Sequence, residues 1–384
     1  MIYLDNAATS FPKPPAVAEA MASFLASEAV NPGRSGFDLS LAVGRRIDGV
    51  RSRLDRFFNN PARDPDRTVF GLNATAALNL AIQGSCRPGD HVVSTVLEHN
   101  SVLRPLAMLR KAGLITYDLA GCDATGRVDP ADVAALIGPA TRLVVMTHAS
   151  NVCGTIQPAA EIGALCRDRD VLFLLDAAQT AGLLPVDMEA LQADLVAFTG
   201  HKSLLGPTGT GGLVVGPRAD ITSTVWGGTG VRSAEAEHPA DYPWRLEAGT
   251  LNTVGLVGLE AALDWLDSQG PEKILAHESR CADRFLAGCA ALAGVTIHGY
   301  GNNRPAALGD DHLPVVSLTV AGRTAEEIGL FLDTDWDIAV RTGLHCAPLA
   351  HAALGTGDLG SVRFSFGPFT SDRDIDTTVE ALAS

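Results

Sequence analysis

Through the first two thirds of the chain, short β-branched and apolar runs alternate with amphipathic stretches. Buried strands are expected at 68–70, 91–95, 115–119, 143–147, 171–175, 195–199 and 212–215. The gaps between them carry apolar residues at helical spacing, as at 74–83, 102–112 and 159–169. Continuous apolar strands alternating with helices imply an α/β class: a mostly parallel seven-stranded sheet covered by helices on both faces. In such sheets ligands gather beyond the carboxyl ends of the strands. The residues that follow each strand are therefore where chemistry is expected.

Beyond about residue 255 the pattern changes. A helical stretch at 256–269 leads to a helix around 272–292, and strand-like runs follow at 295–298, 315–320 and 362–365. This predicts a smaller α+β domain. The large domain is expected over 16–252, and the small one over 1–15 together with 253–384. The Gly- and Pro-rich segment 302–314 reads as a loop.

A chain of 384 residues is too long for one compact core and suits two domains sharing a cleft. Hydrophobic residues make up 46% and charged residues 19%, enough apolar material for packed interiors. The balance of 29 Lys and Arg against 44 Asp and Glu leaves a net charge of −15. Such a surface repels phosphate backbones and anionic lipid, so neither nucleic acid nor a membrane is expected as partner. The residues from Met1 to Asp5 do not read as a secretory signal, and no apolar run approaches the roughly 20 residues of a membrane span. Seven cysteines, scattered and without a CxxC pair, fit a reducing compartment and argue against a disulfide framework or a structural zinc site. A cytoplasmic location and no metal are the expectations.

Three strand ends stand out. The run Val171-Leu172-Phe173-Leu174-Leu175 passes straight into Asp176-Ala177-Ala178-Gln179. Asp194-Leu195-Val196-Ala197-Phe198 passes into Thr199-Gly200-His201-Lys202, and the strand near Phe70 leads through Asn73 to a helix beginning Ala74-Thr75. Alone, each has an ordinary explanation: a capping Asp, a solvated Lys, a turn. Together they meet one chemical need. Pyridoxal 5'-phosphate (PLP) draws electrons only while its pyridine nitrogen is protonated, which a buried carboxylate such as Asp176 enforces. A lysine amine, Lys202, carries it as a Schiff base, and a helix start with small residues offers N–H groups to its phosphate.

Asp176-Ala-Ala-Gln179, Thr199-Gly-His-Lys202 and Glu98-His99-Asn100 resemble the class V aminotransferase group of fold-type I PLP-dependent transferases. Within it the chain resembles the NifS-like cysteine desulfurases, from Tyr3-Leu-Asp-Asn-Ala-Ala-Thr9 to Val362-Arg-Phe-Ser-Phe366. The resemblance implies that His99 stacks on the cofactor ring and that Asn151 lies beside the ring hydroxyl or the substrate carboxylate. It implies Asp176 on the pyridine nitrogen, Gln179 on the phenolic oxygen, and Ala74, Thr75, Thr199 and His201 around the phosphate. It further implies a homodimer with shared active sites, in which Thr250 of the opposite subunit completes the phosphate site and Arg34 reaches across.

Of the seven cysteines, Cys346 is the most informative. It lies in Arg341-Thr-Gly-Leu-His-Cys346-Ala-Pro, after a strand expected at 338–341, whereas buried cysteines mostly pack as small hydrophobes. The segment resembles the short-loop, group II desulfurases, in which the matching cysteine accepts sulfur. Arg363 matches the family arginine that holds the substrate carboxylate, a task suited to the guanidinium fork. Leu344 stands where many group II enzymes have a second histidine, which leaves His345 as the nearer proton-transfer candidate.

The resemblance thus implies conversion of L-cysteine to L-alanine, with Lys202 as base at Cα and the sulfur collected on Cys346 as a persulfide for a protein acceptor. L-Selenocysteine is the alternative substrate, as for a selenocysteine lyase, and amino transfer by a class V aminotransferase is the more distant alternative.

Overall fold

The computed structural model describes residues 1–32, 36–301, 305 and 307–384. The chain opens on a two-residue strand, β1 (Ile2–Tyr3). Seven strands then build the main sheet: β2 (Thr68–Gly71), β3 (Asp90–Thr95), β4 (Ile115–Ala120), β5 (Thr141–Thr147), β6 (Leu172–Asp176), β7 (Leu195–Thr199) and β8 (Gly211–Val215). Their order is β2-β8-β7-β6-β5-β3-β4, and β8 is the one strand of this sheet that runs antiparallel to both neighbours. All seven expected strands are present, each within about two residues of its expected ends.

The parallel strands are apolar on both faces because helices cover both. On one face Val93, Val144, Phe173, Leu175, Val196 and Phe198 join one core cluster. The alternate residues Val92, Leu143, Val145, Leu172, Leu174 and Leu195 join another. That is the period of two expected of side chains on a strand. Each such side chain, fully buried, contributes about 1.5–3 kcal/mol of hydrophobic stabilisation.

The remaining strands are β9 (Val295–His298), β10 (Val315–Val320), β11 (Ile338–Ala339), β12 (Arg341–Gly343) and β13 (Ser361–Ser365). Four of them form an antiparallel sheet in the order β12-β13-β10-β9. Its core holds Phe285, Leu286, Val316, Leu318, Leu332, Phe364 and Ile375, drawn partly from helices Pro271–Ala290, Ala325–Trp336 and Asp372–Ala383.

Three features differ from the sequence reading. The strand expected at 338–341 is two strands: β11 pairs with β1, β12 pairs with β13, and the chain turns between them at Val340. Helix Thr253–Gln269, expected in the smaller unit, buries Leu256, Val257, Leu259, Leu263 and Leu266 in the core shared with the seven-stranded sheet. A 20-residue helix, Asp38–Phe57, was not anticipated; it turns Val43, Ile47, Val50 and Leu54 into that same core. Among the described residues, no helix is long and apolar enough to cross a membrane.

Candidate active site

The carboxyl ends of β3, β5, β6 and β7 open on a cleft of about 250 Å³. Its lining includes Ala74, Thr75, His99, Asn151, Asp176, Gln179, Thr199, His201, Lys202, Cys346 and Arg363, so residues separated by almost 290 positions are brought together. Thr250 does not line this cleft. It lies in a separate, larger depression with Asn31, Pro32 and Arg51. Arg34 lies outside the described residues.

Asp176 ends β6, where one carboxylate oxygen accepts from the Ala178 N–H at 2.9 Å. Burial pushes its pKa above the usual carboxylate range, opposed by that N–H and by Lys202. Lys202 follows β7 by three residues. Its amine lies deep enough that desolvation lowers its pKa to about 8, against the favourable pull of Asp176. Among the described residues its Nζ has no hydrogen-bond partner, so the amine is free to react.

Two glycines permit these approaches. At Gly182 (φ +102°) a Cβ would stand 2.3 Å from the Ser203 carbonyl oxygen, so only glycine admits the loop after Lys202 so close to the Gln179 turn. At Gly211 a Cβ would lie 2.8 Å from the Asn73 Cα, at the start of helix Ala74–Ser85. The Asn73 side chain caps that helix by accepting from the Ala76 N–H at 3.0 Å. The N–H groups of Ala74 and Thr75 have no acceptor among the described residues, as expected of a helix's first turn.

His99 caps the next helix, Asn100–Lys111. Its Nδ1 accepts from the Ser101 N–H at 3.0 Å, which leaves the ring proton on Nε2. Burial, with Lys202 and Arg341 nearby, lowers its pKa to about 4, so the ring is neutral at physiological pH. The Ser101 hydroxyl links His99 Nδ1 and the Thr75 hydroxyl, each at 2.7 Å. His201, likewise lowered to about 4 by burial, keeps a buried Nδ1 without a partner among the described residues. Gln179 donates to the Ala7 carbonyl at 3.2 Å, and the Thr199 hydroxyl makes a long 3.5 Å contact with Thr210 O.

Arg363 sits on β13, 2% exposed. It donates to Asp5 at 2.6 Å and to the Asn151 carbonyl at 2.9 Å, while its Nε has no partner among the described residues. A second cation, Arg341, lines the cleft from β12. Cys346 is exposed in the four-residue stretch between β12 and helix Pro348–Ala353. His345 (φ +47°) and Cys346 (φ +58°) are both left-handed, and the turn closes through Ala347 N–H to Leu344 O at 2.8 Å. Left-handed backbone costs a residue with a Cβ roughly 1–2 kcal/mol. Here the turn is held at both carbonyls: Asn151 Nδ2 donates to His345 O and Asn100 N–H to Cys346 O, each at 2.7 Å.

Against known families, the class V aminotransferase domain matches residues 2–378, nearly the whole chain. The chain belongs to the class V aminotransferase family. Its relatives within that family include cysteine desulfurases. It is 33% identical to a probable cysteine desulfurase of Methanothermobacter thermautotrophicus, over 99% of this chain and 94% of the relative. It is equally identical to a cysteine desulfurase of Salmonella agona, over 100% and 92%. Among solved structures, the apo cysteine desulfurase of Thermococcus onnurineus superimposes with a TM-score of 0.90 at 31% identity, covering 100% of this chain and 94% of that one. A cysteine desulfurase of Escherichia coli gives 0.87 at 28% identity, covering 99% and 93%.

Several lining residues of this class V chain were not singled out from sequence. Arg341 was quoted in a motif without a role, and Asn73 and Ser101 act through short-range caps. Lys13 does not line the cleft but supports it, its ammonium donating to the His201 carbonyl at 2.7 Å, and it carries no local signal in the sequence. His345 requires a correction. Its Nε2 faces Arg341 O at 3.3 Å and its Nδ1 faces His351 at 3.0 Å, so both nitrogens are taken by the protein. Burial lowers its pKa to about 2, and a ring so engaged is not available to shuttle protons to Cys346.

Proposed function

We propose that this protein is a PLP-dependent cysteine desulfurase that converts L-cysteine to L-alanine and collects the sulfur on Cys346. The observation that carries the reading is the shared cleft: an unpartnered lysine amine, a buried carboxyl and an exposed thiol line one cavity of about 250 Å³.

Members of the family carry PLP, and the residues present fit it. The Ala74 and Thr75 N–H groups and the unpartnered His201 Nδ1 supply donors for a phosphate. The neutral His99 ring borders the cleft where a pyridine ring would lie. Lys202 would hold the aldehyde through its amine, Asp176 would keep the pyridine nitrogen protonated, and Gln179 would meet the phenolic oxygen. When bound, the cofactor delocalises the electron pair left at Cα after proton removal.

The chain's own residues do the rest. Arg363 and Asn151 orient the substrate carboxylate. With its amine free, Lys202 would take the Cα proton and serve as the acid that returns a proton to the substrate carbon. The Cys346 thiolate attacks the substrate sulfur; the Cβ–S bond breaks, its electron pair stays on carbon and is protonated, and an S–S bond forms. The balance is L-cysteine plus Cys346 thiol giving L-alanine plus Cys346 persulfide. The four-residue stretch around Cys346 supports the short-loop, group II assignment, and a protein acceptor would then remove the sulfur.

The same reading includes a homodimer in which Thr250 and Arg34 serve the partner's site. Its support is that Thr250 lies away from its own chain's cleft and that Val225 and Trp226 stand exposed, 64% and 73%. The cytoplasm is the proposed location, supported by seven free cysteines. For the two-domain division, the buried face of helix Thr253–Gln269 favours a boundary at Gly270 (φ +83°) over one at 252/253.

The test is to supply L-cysteine and measure alanine, together with the mass of the peptide bearing Cys346. Stoichiometric alanine and a persulfide at that residue are expected in the wild type. Cys346→Ser should lose the persulfide and at least about 100-fold in alanine formation. Alanine at an undiminished rate from that variant would overturn the role of Cys346.

A further inference from the structure

Beneath the Cys346 turn lies a chain of hydrogen bonds that the chemistry above does not use. His345 Nε2 lies 3.3 Å from Arg341 O, a carbonyl that can only accept, so Nε2 carries the ring proton. The His345 Nδ1 must then accept, and its neighbour at 3.0 Å is His351 Nε2, which therefore donates. That leaves His351 Nδ1 as an acceptor, 2.7 Å from the Thr356 hydroxyl. The ring donors point one way, His351 to His345 and His345 to the Arg341 carbonyl at the start of β12, and the Thr356 hydroxyl shares its proton between His351 Nδ1 and the His351 carbonyl at 3.1 Å.

The two imidazoles are 4% and 0% exposed, and burial holds both neutral, as this one-way chain requires. His345 is itself left-handed, beside a left-handed Cys346. Neither residue is a glycine or asparagine, the types that adopt this backbone readily. The carbonyl clamps from Asn151 and Asn100 restrain the turn from the side of the main sheet. The ring of His345 is its anchor from the other side, and His351 is what holds that ring.

We propose that His351, backed by Thr356, is the positioning residue for Cys346. It fixes the His345 ring and through it the left-handed turn that presents the thiol to the cleft. The proposal rests on Cys346 being the sulfur acceptor.

Replacing His351 by Leu removes the donor, and replacing it by Gln restores an N–H at similar reach. Three readouts apply to each variant. The first is Lys202-dependent exchange of the Cα proton of L-alanine in deuterated water, which does not involve the thiol. The second is the single-turnover rate of persulfide formation on Cys346. The third is alkylation of Cys346 by iodoacetamide in protein free of PLP.

The expectation for His351→Leu is unchanged Cα exchange, persulfide formation slower by roughly tenfold or more, and alkylation roughly threefold faster as the turn loosens. His351→Gln should recover most of the persulfide rate. Thr356→Val, on a half-buried residue at the far end of the chain, should show the same pattern at roughly two- to threefold, and it serves if the Leu variant does not fold. Persulfide formation at the wild-type rate in both His351→Leu and Thr356→Val, or a Gln variant no better than Leu, would overturn the proposal. A wild type that exchanges Cα protons yet never forms the persulfide would instead overturn the desulfurase reading, leaving the alkylation result to judge the turn by itself.

Discussion

At Lys202, burial lowers the amine's pKa to about 8 from an ordinary 10.5. Only the neutral amine attacks an aldehyde, so the rate at which PLP-free protein takes up PLP should rise with pH up to about 8 and then level off. An ordinary lysine would keep gaining to above 10. Following the visible absorption after mixing, from pH 6.5 to 10, reads the inflection. Arg363 is held in a different way. Its pairing with Asp5 and with the Asn151 carbonyl fixes the guanidinium plane before any substrate arrives. A lysine there keeps the charge and loses the fork. Arg363→Lys should therefore raise KM for L-cysteine roughly 10–100-fold and change kcat much less. Steady-state kinetics separate the two, and a fall confined to kcat would contradict the carboxylate role.

Between elements, the buried carboxyl of Glu98 joins two strand ends. One oxygen accepts from the Thr95 hydroxyl at 2.7 Å and from the Thr147 N–H at 3.0 Å, tying β3 to β5 where the cleft opens. The other oxygen has no partner among the described residues, and burial pushes the pKa up to about 8. The folded chain thus keeps a proton that the unfolded chain releases near 4.5, so this group's contribution to stability falls as pH rises from about 4.5 to 8. Above that window the loss is complete, of the order of a few kcal/mol. Glu98→Gln keeps the accepting oxygen and does not ionise. Its melting temperature relative to wild type should climb by several degrees between pH 5 and pH 8; a difference flat with pH would exclude the ionisation. The motif Glu98-His99-Asn100 was legible in sequence, as were Asp176 and Lys202, because each lies at or just beyond the end of an apolar strand. Helix Asp38–Phe57 carried its own signal, with Val43, Ile47, Val50 and Leu54 at helical spacing, hidden in a mostly polar segment. The break at Val340 was not legible, since it depends on β1 and β13 claiming successive residues from opposite ends of the chain. The engagement of His345 was equally hidden, because its partners lie on β12 and on helix Pro348–Ala353 and only the folded turn aims the ring at both.

For the whole molecule, the location of Thr250 decides whether one chain suffices. It lies in a depression of about 660 Å³ beside the buried Arg51–Glu247 pair, outside the cleft that holds Lys202. If Thr250 serves its own chain's site, Lys202→Ala and Thr250→Asp are independent lesions, and mixing the two proteins yields nothing. If it crosses a two-fold interface, each active site draws Lys202 from one chain and Thr250 from the other. Co-refolding the two variants would then produce mixed dimers with one site carrying both lesions and the other carrying neither. With equal amounts of the two variants, half of the dimers are mixed and half of the sites in those are intact. About a quarter of the wild-type activity should therefore return from two nearly inactive parents. Size-exclusion chromatography of the mixture distinguishes failed complementation from failed association. A dimer that forms and stays inactive would place Thr250 outside the partner's site, while the cleft around Lys202 would stand as a single-chain site.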